Sequence, residues 1–105
     1  MLIREKDKLA LIKLFSEIKQ PVEIWAYGSR VNNTAHDASD LDLVIRTQNL
    51  QAMSVTEYAL LLEKITESNI PILVELRDWT TLPPSFHRQI EKKYEVLYSN
   101  FNSYS

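Results

Sequence analysis

Residues 22–47 read VEIWAYGSRVNNTAHDASDLDLVIRT, and the two ends of this stretch decide the fold. Val22 to Tyr27 is a short run of β-branched, aliphatic and aromatic residues behind Pro21, the composition of a buried strand. Leu41 to Thr47 reads as a second strand. Its Leu41, Leu43 and Ile45 point to one face, where a helix layer can cover them, and Asp40 and Asp42 point together to the other. Between the strands lie Gly28-Ser29-Arg30, a polar helix start, and the polar stretch Asn32 to Ser39.

Upstream, Arg4 to Lys19 reads as a helix, with Leu11, Leu14, Phe15 and Ile18 forming one apolar stripe and Pro21 blocking its continuation. Downstream, a second helix is expected over about Ala52 to Ser68, carrying Val55, Tyr58, Leu62 and Ile65 on one face and stopped by Asn69 and Pro71. Ile72 to Arg77 reads as a third strand. A short helix follows the Pro83-Pro84 break from Ser85 to Lys92, and Tyr94 to Tyr98 forms a final edge strand. The polar tail from Ser99 to Ser105 is expected to fray. With no internal repeat or linker, residues 1–105 form a single α+β domain, an α/β sandwich in which helices cover a small mixed β-sheet.

Composition narrows the function. The chain has 105 residues, 45% hydrophobic and 25% charged, as in an ordinary soluble domain. It contains no cysteine, which excludes disulfides, thiolate metal sites and cysteine nucleophiles and suits the reducing cytoplasm. No run of about 18 apolar residues exists, and the N-terminus lacks a signal peptide's apolar segment, so no membrane association is expected. A net charge of −2 argues against direct binding of DNA or RNA.

Two features carry chemistry. Asp40 and Asp42 leave the same face of a strand, and paired carboxylates repel unless a cation sits between them. Oxygen ligands of this kind suit Mg²⁺ or Mn²⁺, which are commonly held by one or two carboxylates together with substrate phosphates. A strand-edge cap explains an isolated pair equally well, and the neighbouring turn is what shifts the balance. Gly28 is the only glycine in the chain, where average usage of about 7% would give roughly seven. At the end of a strand it lets the backbone approach a phosphate, with the Ser29 hydroxyl as a further donor.

The string Gly28-Ser29-Arg30, nine residues, then Ser39-Asp40-Leu41-Asp42-Leu43 resembles the signature of the polymerase-β-like nucleotidyltransferase superfamily. The chain is most similar to its minimal nucleotidyltransferase (MNT) group of small single domains. The resemblance implies transfer of a nucleoside monophosphate from a triphosphate, with divalent ions held by three acids. Gly28, Ser29, Arg30 and Ser39 would then bind the nucleotide. Asp40, Asp42 and Glu75 would be the catalytic acids and metal ligands. Alternation supports Glu75 independently, since Val74 and Leu76 face the core while Glu75 shares a face with Leu73 and Arg77. Two departures stand out: Asn33 replaces a second glycine, and Glu75 replaces the more common aspartate. Asparagine tolerates the left-handed conformation, but a longer acid shifts the position of a metal ligand.

His36 reads as a solvated loop residue or one that approaches the phosphates, and His87 as a surface or packing residue. Arg30 suits either a phosphate contact or a helix-start salt bridge; Trp25 and Trp79 suit the core or an interface, and Trp79 also suits the edge of the nucleotide site. The family's small members commonly pair with a helical HEPN protein as toxin and antitoxin. The resemblance therefore implies transfer of AMP from ATP to a protein acceptor, the chain acting as antitoxin to a HEPN-type toxin in a hetero-oligomer. Two alternatives are a catalytically weak or inactive nucleotide-binding subunit acting by complex formation with a helical partner, and a small-molecule transferase whose acceptor site a partner subunit completes.

Overall fold

The computed structural model describes residues 3–28, 30–31, 40–48 and 51–101. Strand β1 spans Val22–Tyr27 and β2 spans Leu41–Thr47, the bounds expected from their apolar runs. They pair antiparallel, Ile24 opposite Ile45 and Tyr27 opposite Asp42. Helix α1 (Glu5–Phe15) precedes β1, and α2 (Val55–Glu67) follows β2. Next come β3 (Val74–Asp78), a 3₁₀ turn (Trp79–Thr81), α3 (Pro84–Lys92) and β4 (Glu95–Ser99). The sheet order is β3-β2-β1-β4, with β3 parallel to β2 and β4 antiparallel to β1, so the sheet is mixed as expected.

Alternation gives the sheet two different faces. Val22, Ile24, Ala26, Leu41, Leu43, Ile45, Leu76 and Leu97 pack with Leu11 and Phe15 of α1 and Leu61 and Ile65 of α2. On the opposite face Trp25, Tyr27 and Val44 meet Trp79 and Ile90, with Leu82 and Phe86 beside them. Trp25 and Trp79 are thus core residues.

The helices differ in detail from the sequence expectation. Helix α1 ends at Phe15, and Glu17 N–H and Ile18 N–H close the end with short bonds to the carbonyls of Leu14 and Phe15. Helix α2 begins at Val55 because Ser54 caps it, its hydroxyl accepting from Glu57 N–H at 3.1 Å. Val55 lies outside the buried stripe at 87% exposure, and the packed face is Tyr58, Leu61, Leu62 and Ile65. Leu60-Leu61-Leu62 allows two registers of that face, and the core contact selects Leu61 and Leu62. Tyr58 also donates its hydroxyl hydrogen to the carbonyl of Leu76, tying α2 to β3.

Strand β3 runs to Asp78, whose carboxylate accepts from Thr80 N–H at 2.9 Å and Met53 N–H at 3.2 Å. That bonding creates the 3₁₀ turn, which the sequence reading does not anticipate. The tail is tied at its start, since Ser99 closes β4 and the Asn100 side chain accepts from Val22 N–H at 2.5 Å. Residues 102–105 lie outside the described residues. No helix among the described residues is long and apolar enough to cross a membrane.

Phe15 is fully buried, so Phe15→Ala should cost about 3–5 kcal/mol in urea unfolding. Leu60→Ala, at a half-exposed position of α2, should change stability by less than about 0.5 kcal/mol.

Candidate active site

Strand register alone brings the first site residues together. Tyr27 at the end of β1 pairs with Asp42 near the start of β2, and Asp42 pairs with Glu75 near the start of β3. These three side chains leave one rung of the sheet on the face away from α1 and α2. Asp40 directly precedes β2, and its charge reaches Asp42.

Gly28 follows Tyr27 at the edge of this rung with φ +82°, where side chains are rarely tolerated. A Cβ there would lie 2.5 Å from Asp42 Oδ2. The turn closes through Val31 N–H donating to the Gly28 carbonyl at 3.1 Å, and Arg30 is buried beside it. Glycine therefore serves two needs, a left-handed backbone and room for a carboxylate. Ser29, Asn33, His36 and Ser39, and the helix start expected after the turn, lie outside the described residues.

Arg77 is the residue whose role the sequence reading misses, although alternation had put it on the face of Glu75. Its Nη1 lies 3.6 Å from Asp42 Oδ1, and its Nη2 lies 3.0 Å from Glu75 Oε2. Nη1 also donates to the Tyr27 hydroxyl at 3.0 Å. Among the described residues, no three acidic or histidine side chains converge as a metal cage; Asp42 and Glu75 close on a guanidinium. Their oxygen donors still fit Mg²⁺ or Mn²⁺, which keep several waters and use one or two carboxylates plus phosphates.

Burial pushes the Asp42 carboxyl above its ordinary range; Arg77 opposes this, and the charges of Glu75 and Asp40 reinforce it. Burial likewise raises the Tyr27 phenol, against the opposing bond from Arg77. Beside the turn opens a cavity of about 350 Å³ lined by Tyr27, Gly28, Phe86, Gln89, Lys92 and Lys93. His87 packs instead, stacked on Trp79 with Nε2 at 2.6 Å from its carbonyl oxygen.

The family described as "Polymerase beta, Nucleotidyltransferase" matches residues 10–102. The chain belongs to that nucleotidyltransferase family. It is 33% identical over 94 residues to the probable protein adenylyltransferase MntA of Haemophilus influenzae, covering 89% of this chain and 81% of that one. Among solved structures it is similar to a toxin-antitoxin with AMP-PNP, at TM-score 0.69 and 18% identity, over 92% of this chain and 75% of the other. A mutant of the toxin-antitoxin MntA-HpeT gives TM-score 0.68 and 16% identity, over 93% and 75%. These similarities support an MNT-type nucleotidyltransferase domain with the polymerase-β-like fold.

Two measurements test the site's construction. Gly28→Ala should destabilise the domain by roughly 1–3 kcal/mol in urea unfolding, because positive φ and the Asp42 contact both oppose a Cβ. For Asp42, a folded pKa above the unfolded value means that the ionised form opposes folding, an effect absent below the unfolded pKa near about 3.9. Asp42→Asn should therefore raise the melting temperature of the metal-free protein at pH 7, and the gain should vanish as pH falls towards about 3.

Proposed function

We propose that this nucleotidyltransferase moves AMP from ATP onto a hydroxyl of a partner protein, and that it is the antitoxin of a HEPN-type toxin. The observation carrying this reading is the rung Tyr27–Asp42–Glu75 set against the positive-φ turn at Gly28. The protein adenylyltransferase named in Haemophilus influenzae and the toxin-antitoxin structures support the acceptor class and the cellular setting.

In this reading the Gly28-Ser29 turn, with Arg30 and Ser39, holds the triphosphate, and the lysine-bearing cavity gives it room and positive charge. Asp40, Asp42 and Glu75 hold Mg²⁺ or Mn²⁺, which when bound neutralises charge on the reacting phosphates. The acceptor oxygen forms a bond to the α-phosphorus. The bond from that phosphorus to the bridging oxygen breaks, and pyrophosphate leaves with the electron pair. The hydroxyl proton passes to Glu75, which lies partly open to solvent. The site favours the reaction mainly by positioning and by charge.

A second reading is favoured by one observation. Arg77 already pairs with Asp42 and Glu75, as suits a nucleotide-binding subunit that acts through complex formation.

Labelled ATP, Mg²⁺ and the co-expressed neighbouring protein distinguish the two. Label should appear on the partner with the wild-type chain and fall at least about 100-fold with the Asp40→Asn/Asp42→Asn variant. ATP binding with no transfer under any condition would leave the second reading standing.

A further inference from the structure

Taking nucleotidyl transfer as the function of the site, we propose that Arg77 is its built-in counter-ion. Its guanidinium holds Asp42 and Glu75 until a divalent ion replaces it, and it thereby sets how tightly that ion binds.

The geometry comes from register. Arg77 pairs with Val44, one rung inward from Asp42 and Glu75, so its side chain must reach back along the sheet to meet them. It is held there from several sides. Asp42 Oδ1 and Glu75 Oε2 lie at 3.6 and 3.0 Å, the Tyr27 hydroxyl accepts at 3.0 Å, and the Phe86 ring centroid lies 6.0 Å away. Each group comes from a different element: β2, β3, β1 and α3.

Two facing carboxylates on neighbouring strands repel and need a cation between them. A guanidinium and a divalent ion meet that need in incompatible ways. The guanidinium meets the two carboxylates at 3.6 and 3.0 Å, while Mg²⁺ needs oxygens at about 2.1 Å in an octahedron. An ion held by the carboxylates that Arg77 contacts would also meet the guanidinium charge at close range, a strong repulsion at a part-buried site. The two cations therefore exclude each other.

Arg77 can give way. Its side chain is 39% exposed, so it can turn to solvent or to an incoming phosphate. Binding of the ion is thereby coupled to binding of the nucleotide, whose phosphates supply the negative charge that Arg77 then faces.

The test uses Mn²⁺ alone, with free ion counted by electron paramagnetic resonance and no nucleotide present. Arg77→Gln should bind Mn²⁺ about tenfold more tightly than wild type, the gap narrowing in high salt. Asp42→Asn in that background should abolish the gain. Tyr27→Phe removes only the hydroxyl that orients Nη1, and should tighten binding about two- to threefold. It keeps the inference testable if Arg77→Gln does not fold. Wild-type or weaker affinity in the folded variants, with wild type itself binding Mn²⁺, overturns the counter-ion role and leaves nucleotidyl transfer intact. No Mn²⁺ binding by any protein, even with ATP added, overturns both.

Discussion

Asp42 Oδ2 occupies the space that a side chain on residue 28 would need. That close approach depends on the antiparallel register that sets Tyr27 opposite Asp42, and the register in turn depends on which face of each strand is buried. A slip of one residue would put Leu41, Leu43 and Ile45 in the site and the acids against α1 and α2. The apolar face thus specifies the position of the carboxylates, and the glycine makes that position sterically possible.

The second face of the sheet carries charges as well as aromatics, and it meets their cost by stacking. Arg46 sits in the corner formed by two edge-to-face tryptophans, with its guanidinium carbon 4.2 Å from the Trp25 ring centroid and 4.6 Å from that of Trp79. Tyr94 stacks on the outer side of Trp25 at 3.8 Å, and His87 on Trp79 at 3.9 Å. The Trp25 indole N–H donates to Glu23 at 2.8 Å, and the same carboxylate oxygen faces Arg46 at 3.8 Å. Arg46 Nε is buried with no hydrogen-bond partner among the described residues, so the ring faces carry much of its stabilisation. This stack anchors α3 and the 3₁₀ turn over the sheet and leaves the rung at Asp42 only partly covered.

The strands were legible because their signals are local. Runs of β-branched and aromatic residues bound β1 and β2, and alternation puts Asp40 with Asp42 on one face of β2 and Glu75 on the outward face of β3. The helix register was less legible, since Leu60-Leu61-Leu62 supports two apolar stripes and only the sheet selects one. The 3₁₀ turn was hidden because it depends on bonds from Asp78 to residues on both sides of it in sequence. Arg77 was hidden for a related reason: alternation gives its face, but its partners lie on three strands. A motif of acids shows where a cation is needed and says nothing of whether the protein brings its own.

Glu75 and Arg77 are best understood together. An aspartate at position 75 would end one carbon–carbon bond, about 1.5 Å, short of where Glu75 meets Arg77 Nη2 at 3.0 Å. The longer acid therefore matches the arginine two residues on, and the pair lies on one face of one strand. Even so, Arg77 does not fully neutralise the site. The Asp42 carboxyl remains raised, because burial and the charges of Glu75 and Asp40 outweigh the guanidinium. The rung is thus held together by Arg77 and still left short of positive charge. The glutamate and Arg77 thus act together, holding the facing acids in one rung.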